Sequence, residues 1–317
     1  MTIWLLRLLG ALLMLAAVAL ALSQAPERPV QTLVARWAPP PSDFIDVRGQ
    51  IVHVRDQGPR GDPLPIVLIH GTGASLHTWE GWARVLARER RVVTFDLPGF
   101  GLTGPFGGQY AADDYRGATY ARFVVDLLDQ LQIARAVLGG NSLGGEVAWR
   151  TAVRAPARIA ALVLVDAGGL PSVPEVIPLA FAIARVPIAS TLSEWVLPRG
   201  VVEQSVRSIY GDPSKVTPAL VDRYFELTLR AGNRHALAQR LREMQRGEDA
   251  SGVATITVPT LILWGGRDRL IPPATARDFA RRIAGSRLVL LPELGHVPQE
   301  EDPARTVAWV REFLGLP

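Results

Sequence analysis

Six short, uninterrupted apolar runs decide what this chain can fold into: Ile66–Ile69, Val92–Phe95, Ala136–Leu138, Leu162–Val165, Leu261–Trp264 and Leu288–Leu291. A strand with one wet face alternates apolar and polar residues. Continuous runs instead suit strands covered on both faces, hence a parallel sheet. Between the runs lie stretches with apolar residues at helical spacing, at Trp79–Arg88, Tyr120–Leu131, Leu143–Arg154, Ala274–Ala284 and Pro303–Phe313. Strand and helix alternate, so the predicted class is α/β, with a doubly wound, mostly parallel sheet. Ahead of them, Phe44–Val47 and Ile51–Arg55 alternate around Arg48-Gly49-Gln50 and predict an antiparallel hairpin.

One interval breaks the rhythm. Roughly 90 residues between Asp166 and Pro259 carry helical patterning and no convincing strand, too long for an unstructured loop. An inserted helical cap over residues 167–258 is expected, between two halves of the core at 43–166 and 259–317. Placed after a strand's carboxyl end, it covers the edge where open α/β sheets bind ligands, and reads as a lid.

The N-terminal residues 1–25 form a separate segment. Ile3–Leu22 is apolar apart from Arg7, and 20 helical residues span about 30 Å, the thickness of a bilayer's hydrocarbon layer. A membrane anchor with a single N-terminal span is therefore expected, with the globular part outside the cytoplasm. A cleaved signal is the alternative, given Ala19, Ala21, Ser23 and Ala25. Residues 26–42 read as an extended Pro-rich linker ending in Pro39-Pro40-Pro41.

Composition narrows the chemistry. The 317 residues include no cysteine, which excludes disulfide scaffolds, zinc fingers, iron–sulfur ligation and a cysteine nucleophile. Lys215 is the only lysine, and acidic residues are interspersed among the arginines without a run of like charge. A nucleic-acid partner, which calls for basic residues gathered on one face, is not supported.

Leu138-Gly139-Gly140-Asn141-Ser142-Leu143-Gly144-Gly145 closes one apolar run and opens a helical stretch. This is G-x-S-x-G at a sharp strand-to-helix turn, which strains the serine backbone and lifts its hydroxyl above the sheet. Bulky side chains two positions either side would collide there. A serine needs a base within reach, and the base a carboxylate to fix its tautomer. His296 follows the last apolar run, and Asp268 follows the one before, giving the order Ser142, Asp268, His296. Asp166 is the competing carboxylate. His70 and Asp96 read as braces for their own loops. The oxyanion donors expected are the N–H of Leu143, unpaired at a helix start, and of Thr72 in His70-Gly71-Thr72-Gly73, with Gly73 as alternative.

With these motifs and Asp96-Leu97-Pro98-Gly99-Phe100-Gly101, the chain resembles the α/β-hydrolase superfamily over nearly all of Phe44–Pro317. The Gly-Asn-Ser-Leu-Gly-Gly form is similar both to bacterial membrane-associated lipases and esterases and to hydrolases that cleave C–C bonds in ring-fission products. The resemblance implies a Ser–His–Asp triad with no cofactor and no metal, acting on a small-molecule or lipid-like ester. C–C hydrolases of this type usually carry a tryptophan after the histidine, where this chain has Val297, and a longer glycine run where it has Ala74-Ser75. That favours the esterase. C–C hydrolysis, perhydrolase or haloperoxidase-type chemistry and a non-catalytic ligand receptor are the alternatives. Oligomeric state stays open.

Overall fold

The computed structural model describes residues 2–244 and 249–316. Eight strands form one sheet in the order β1-β2-β4-β3-β5-β6-β7-β8. The hairpin β1 (Ser42–Val47) and β2 (Gln50–Gln57) is antiparallel, and β2 joins β4 (Val92–Phe95) in the antiparallel sense. From β4 onward, β3 (Ile66–Ile69), β5 (Ala136–Asn141), β6 (Ile159–Val165), β7 (Thr260–Gly265) and β8 (Arg287–Leu291) run parallel.

The apolar runs have their physical cause in the pleat. Successive side chains point to opposite faces, and both faces are covered. Val67, Ile69, Leu138, Leu164 and Trp264 pack on one side with Phe123 of α4 (Gly117–Gln130) and Trp149 of α5 (Leu143–Arg154). Ile66, Leu68, Val137, Val163 and Leu263 pack on the other. There they meet Trp82 of α3 (Glu80–Leu86) and Val310, which lies between Pro303 and Phe313 in the chain's closing helix.

Between β6 and β7 lies the helical insertion: α6 (Leu179–Arg185), α7 (Pro187–Ser193), α8 (Arg199–Ile209), α9 (Pro218–Thr228) and α10 (Asn233–Met244). The chain then completes the sheet through β7, α11 (Pro273–Arg282) and β8, and closes with α12 (Pro298–Glu301) and α13 (Pro303–Phe313).

Two expectations for the N-terminal region change. The transmembrane anchor is not upheld: among the described residues, no helix is long and apolar enough to cross a membrane. The N-terminal helix α1 (Thr2–Leu22) carries Arg7, which leaves an uninterrupted apolar run of only about 22 Å against the roughly 30 Å required. The membrane partnership and the extracytoplasmic placement inferred from that span lose their basis with it. Residues 26–42 are also no free spacer. They contain α2 (Gln31–Trp37), whose Leu33 is buried against Leu102 and Leu227. The preceding residues are stitched into the insertion: Ala25 N–H donates to the Trp195 carbonyl at 2.9 Å, and Arg28 N–H to the Leu229 carbonyl at 2.7 Å.

Candidate active site

Ser142 sits between the end of β5 and the start of α5 with φ 56° and ψ −117°, a left-handed backbone for a residue with a Cβ. The turn tolerates this because its neighbours leave no room to relax. A Cβ on Gly140 would lie 2.1 Å from the Gly144 carbonyl oxygen, and one on Gly144 would lie 2.0 Å from that of Ile69. The spacing of the two glycines is thus dictated by backbone passing backbone. Main-chain bonds fix the serine itself: its N–H donates to the Val165 carbonyl at 3.0 Å, and its carbonyl accepts from Gly168 and Glu146.

His296 and Asp268 meet beside it. The His296 Nδ1 lies 2.7 Å from Asp268 Oδ2, with both side chains buried. The second oxygen of Asp268 accepts from the backbone N–H of Leu270 and Ile271 at 2.8 and 2.9 Å, so the carboxylate is oriented from both ends. Asp166 is in the same cluster, its carboxyl within 4.8 Å of the donor atoms of Asp268 and His296. It accepts from the Gly265 N–H at 2.9 Å, while its other oxygen is buried without a partner. Burial, and then the Asp268 charge beside it, push the Asp166 carboxyl well above the usual carboxylate range. Asp268, and not Asp166, is the carboxylate bonded to the imidazole. These three side chains are also the set of donors that could hold a metal ion among the described residues, but the lone pair of Asp268 that faces His296 is engaged in that hydrogen bond.

Ser142, His296, Thr72 and Gly73 border one cavity of about 100 Å³, roofed by Phe181, Leu197, Val206 and Leu237 of the insertion. Leu143 sends its side chain into the core instead. Its N–H belongs to the first turn of α5, where amides have no partner within the helix.

Three supports were not legible as site residues. Asn141, the variable position in the G-x-S pattern, donates from its side chain to the His296 carbonyl at 2.9 Å and to that of Val165 at 3.2 Å. His296 N–H donates to the Ile209 carbonyl of α8 at 2.8 Å. Buried Glu301 accepts from the N–H groups of Gly295, Gly211 and Asp212, each at 2.9 Å. The polar residue directly before Ser142, and an acid at a helix end just after the histidine, were the only signals available.

His70 and Asp96 shape the loops around the cavity. The His70 Nδ1 meets the Gly71 carbonyl at 2.8 Å, and its Nε2 accepts from Leu97 N–H at 2.9 Å. Asp96 accepts from His53 Nδ1 and from the N–H groups of Leu76 and Leu102. Burial alone would raise its carboxyl, but His53, with His70 and His77 beyond it, holds it well below the usual carboxylate range. A folded value below the unfolded one makes this contribution complete above about pH 4, and it is lost as pH falls through the folded value. Asp96→Asn is expected to lower stability by about 3 kcal/mol at neutral pH, measured by urea unfolding, with the difference from wild type shrinking in acid.

The chain is 30% identical over 265 residues to the dihydrolipoyllysine-residue acetyltransferase component of the acetoin cleaving system of Pseudomonas putida, matching 83% of this chain and 66% of that one. It thus spans just under two thirds of that relative's length. It is 31% identical over 267 residues to 2-hydroxymuconate semialdehyde hydrolase of Pseudomonas sp. strain CF600, covering 80% and 88% of the two chains. Among solved structures it is similar to a thermophilic esterase from Thermogutta terrifontis, with TM-score 0.70, 26% identity and coverage of 86% and 98%. Residues 65–303 match the sequence pattern of one family, and with the sheet, sharp turn and cavity described above, this chain belongs to the α/β hydrolase fold family.

Proposed function

We propose that the chain is a serine hydrolase that cleaves carboxylic esters with apolar acyl or aryl groups. The observation that carries this reading is one apolar cavity bordered both by a backbone-strained serine, Ser142, and by a histidine, His296, already bonded to a buried aspartate, Asp268. In the proposed cycle Ser142 Oγ attacks the ester carbonyl while His296 Nε2 takes its proton. Asp268 holds the imidazole and stabilises its charged form. The N–H groups of Thr72 and Leu143 receive the developing oxyanion, and His296 then protonates the departing alcohol. Water repeats the sequence on the acyl-enzyme. Residues 167–258 act as the cap, supplying the apolar wall that selects the acyl or aryl group.

C–C bond hydrolysis is the second reading, favoured by the 31% identity to a semialdehyde hydrolase. One comparison separates them: p-nitrophenyl butyrate and a vinylogous 1,5-diketone dienoate, assayed side by side, with fluorophosphonate labelling of the full chain. The ester is expected to show the higher kcat/KM, and the label to fall on Ser142. The opposite ratio would make the protein a C–C hydrolase. Absence of both labelling and turnover would remove the serine-hydrolase reading altogether.

A further inference from the structure

Residues 23–37 bond to two separate segments of the insertion, and both segments wall the cavity. The first carries Ser193 and Leu197, at the end of α7 and just beyond it. The second carries Thr228, Arg234 and Leu237, across the turn from α9 to α10. On the first wall, Ala25 N–H donates to the Trp195 carbonyl at 2.9 Å and Leu197 N–H to the Ser23 carbonyl at 3.2 Å, an antiparallel bridge between Gln24 and Val196. On the second, Arg28 N–H donates to the Leu229 carbonyl at 2.7 Å and Ala231 N–H to the Arg28 carbonyl at 2.9 Å, a parallel bridge between Arg28 and Arg230. Glu27 Oε1 adds a third bond there, accepting from Gly232 N–H at 2.7 Å. Arg234 Nη1 ties the three segments together, donating to the carbonyls of Ala25 at 2.7 Å and Ser193 at 2.9 Å.

Tethering the N-terminal helix would need neither set of main-chain bonds. The segment is also stiff. Pro26 lies between the two bridges and Pro29 directly follows the second, each with a fixed φ and no N–H to satisfy. The three-residue step from Ala25 to Arg28 spans at most about 10 Å, which limits how far apart the walls can move while both bridges hold. Its far end is fixed to the core: Leu33 of α2 is buried against Leu102 and Leu227, and the Trp37 carbonyl lies 2.8 Å from His77 Nε2. Ala25 is buried in the same cluster as Leu197, Val206 and Tyr224, which border the cavity.

We propose that residues 23–37 are a clamp that sets the spacing of the two cavity walls, and with it the acyl length the site accepts. Glu27 and Leu33 act in it as positioning residues, since neither borders the cavity. This rests on the ester-hydrolase reading above and names what determines its selectivity.

The test is a series of p-nitrophenyl esters, from acetate to dodecanoate, on the full chain. Wild type is expected to show one optimum, with kcat/KM falling at least tenfold for esters four carbons longer. In the double variant Glu27→Ala, Leu33→Ala that penalty is expected to shrink to about threefold through a lower KM for the long esters, with kcat for the best ester within about threefold. Glu27→Gln with Leu33→Met, which keeps the acceptor and the volume, is expected to restore the wild-type profile. A flat profile in wild type, an unchanged profile in the alanine variant, or an equal loss at every length would overturn the proposal. Should the alanine variant fail to fold, amide hydrogen exchange of wild type decides: Ala25, Arg28, Leu197 and Ala231 are expected to be protected and to open at one common rate, and unprotected exchange at Ala25 and Arg28 refutes the clamp. Should wild type hydrolyse no ester, the ester reading fails on its own, and the same exchange measurement still judges the clamp.

Discussion

Ser142→Ala is expected to lower kcat for p-nitrophenyl esters by about a million-fold, while leaving the thermal midpoint within a few degrees of wild type. The size follows from removing the proposed nucleophile, the atom that would form the acyl-enzyme. What survives is the binding and oxyanion contribution of the amides. The fold is spared because the bonds that hold the turn are main-chain ones, from Ser142 N–H to Val165 and from Gly168 and Glu146 to the Ser142 carbonyl. Alanine keeps the Cβ and inherits the same backbone strain. A variant with undiminished turnover would move the nucleophile elsewhere in the cavity, and with it the proposed reaction.

Asp268→Asn is expected to cost about 10⁴-fold in kcat with little change in KM. An amide in place of the carboxylate can present its NH₂ to His296 Nδ1, which selects the tautomer that cannot accept the serine proton at Nε2. The comparison with Asp166 makes the test specific. Asp166 accepts from the Gly265 N–H and does not bond the imidazole, so Asp166→Asn keeps an oxygen for that N–H and leaves the Asp268–His296 bond in place. That variant is expected to stay within about tenfold of wild type. Equal losses at the two positions would mean that the acids share the task.

The sheet was readable because doubly covered strands leave an unmistakable trace. Ile66–Ile69 and Val92–Phe95 form strands at the bounds their apolar runs mark, and Leu143–Arg154 and Pro303–Phe313 form helices at theirs. The hairpin extends somewhat further than its alternation, to Ser42–Val47 and Gln50–Gln57. The order of Ser142, Asp268 and His296 was equally plain, since each follows a strand and a parallel sheet brings strand ends to one edge. What stayed hidden depends on contacts between distant segments. Nothing local announces that Asn141 grips the carbonyl of His296, that Arg234 ties the Ala25 carbonyl to that of Ser193, or that residues 23–37 are sewn into the insertion. The N-terminal run misled because its composition resembles a span. Arg7 shortens it below the required length.

The hydrogen bond from His296 N–H to Ile209 has a bearing on redesign. Exchanging the helices between β6 and β7 for those of a relative is an attractive way to alter selectivity. In this protein such a chimaera would also discard one of the anchors of the histidine's backbone, and the Gly211 and Asp212 amides that Glu301 gathers. Grafts that spare residues 209–212 should change which molecules are accepted, whereas grafts that cross them should blunt the chemistry for every molecule alike.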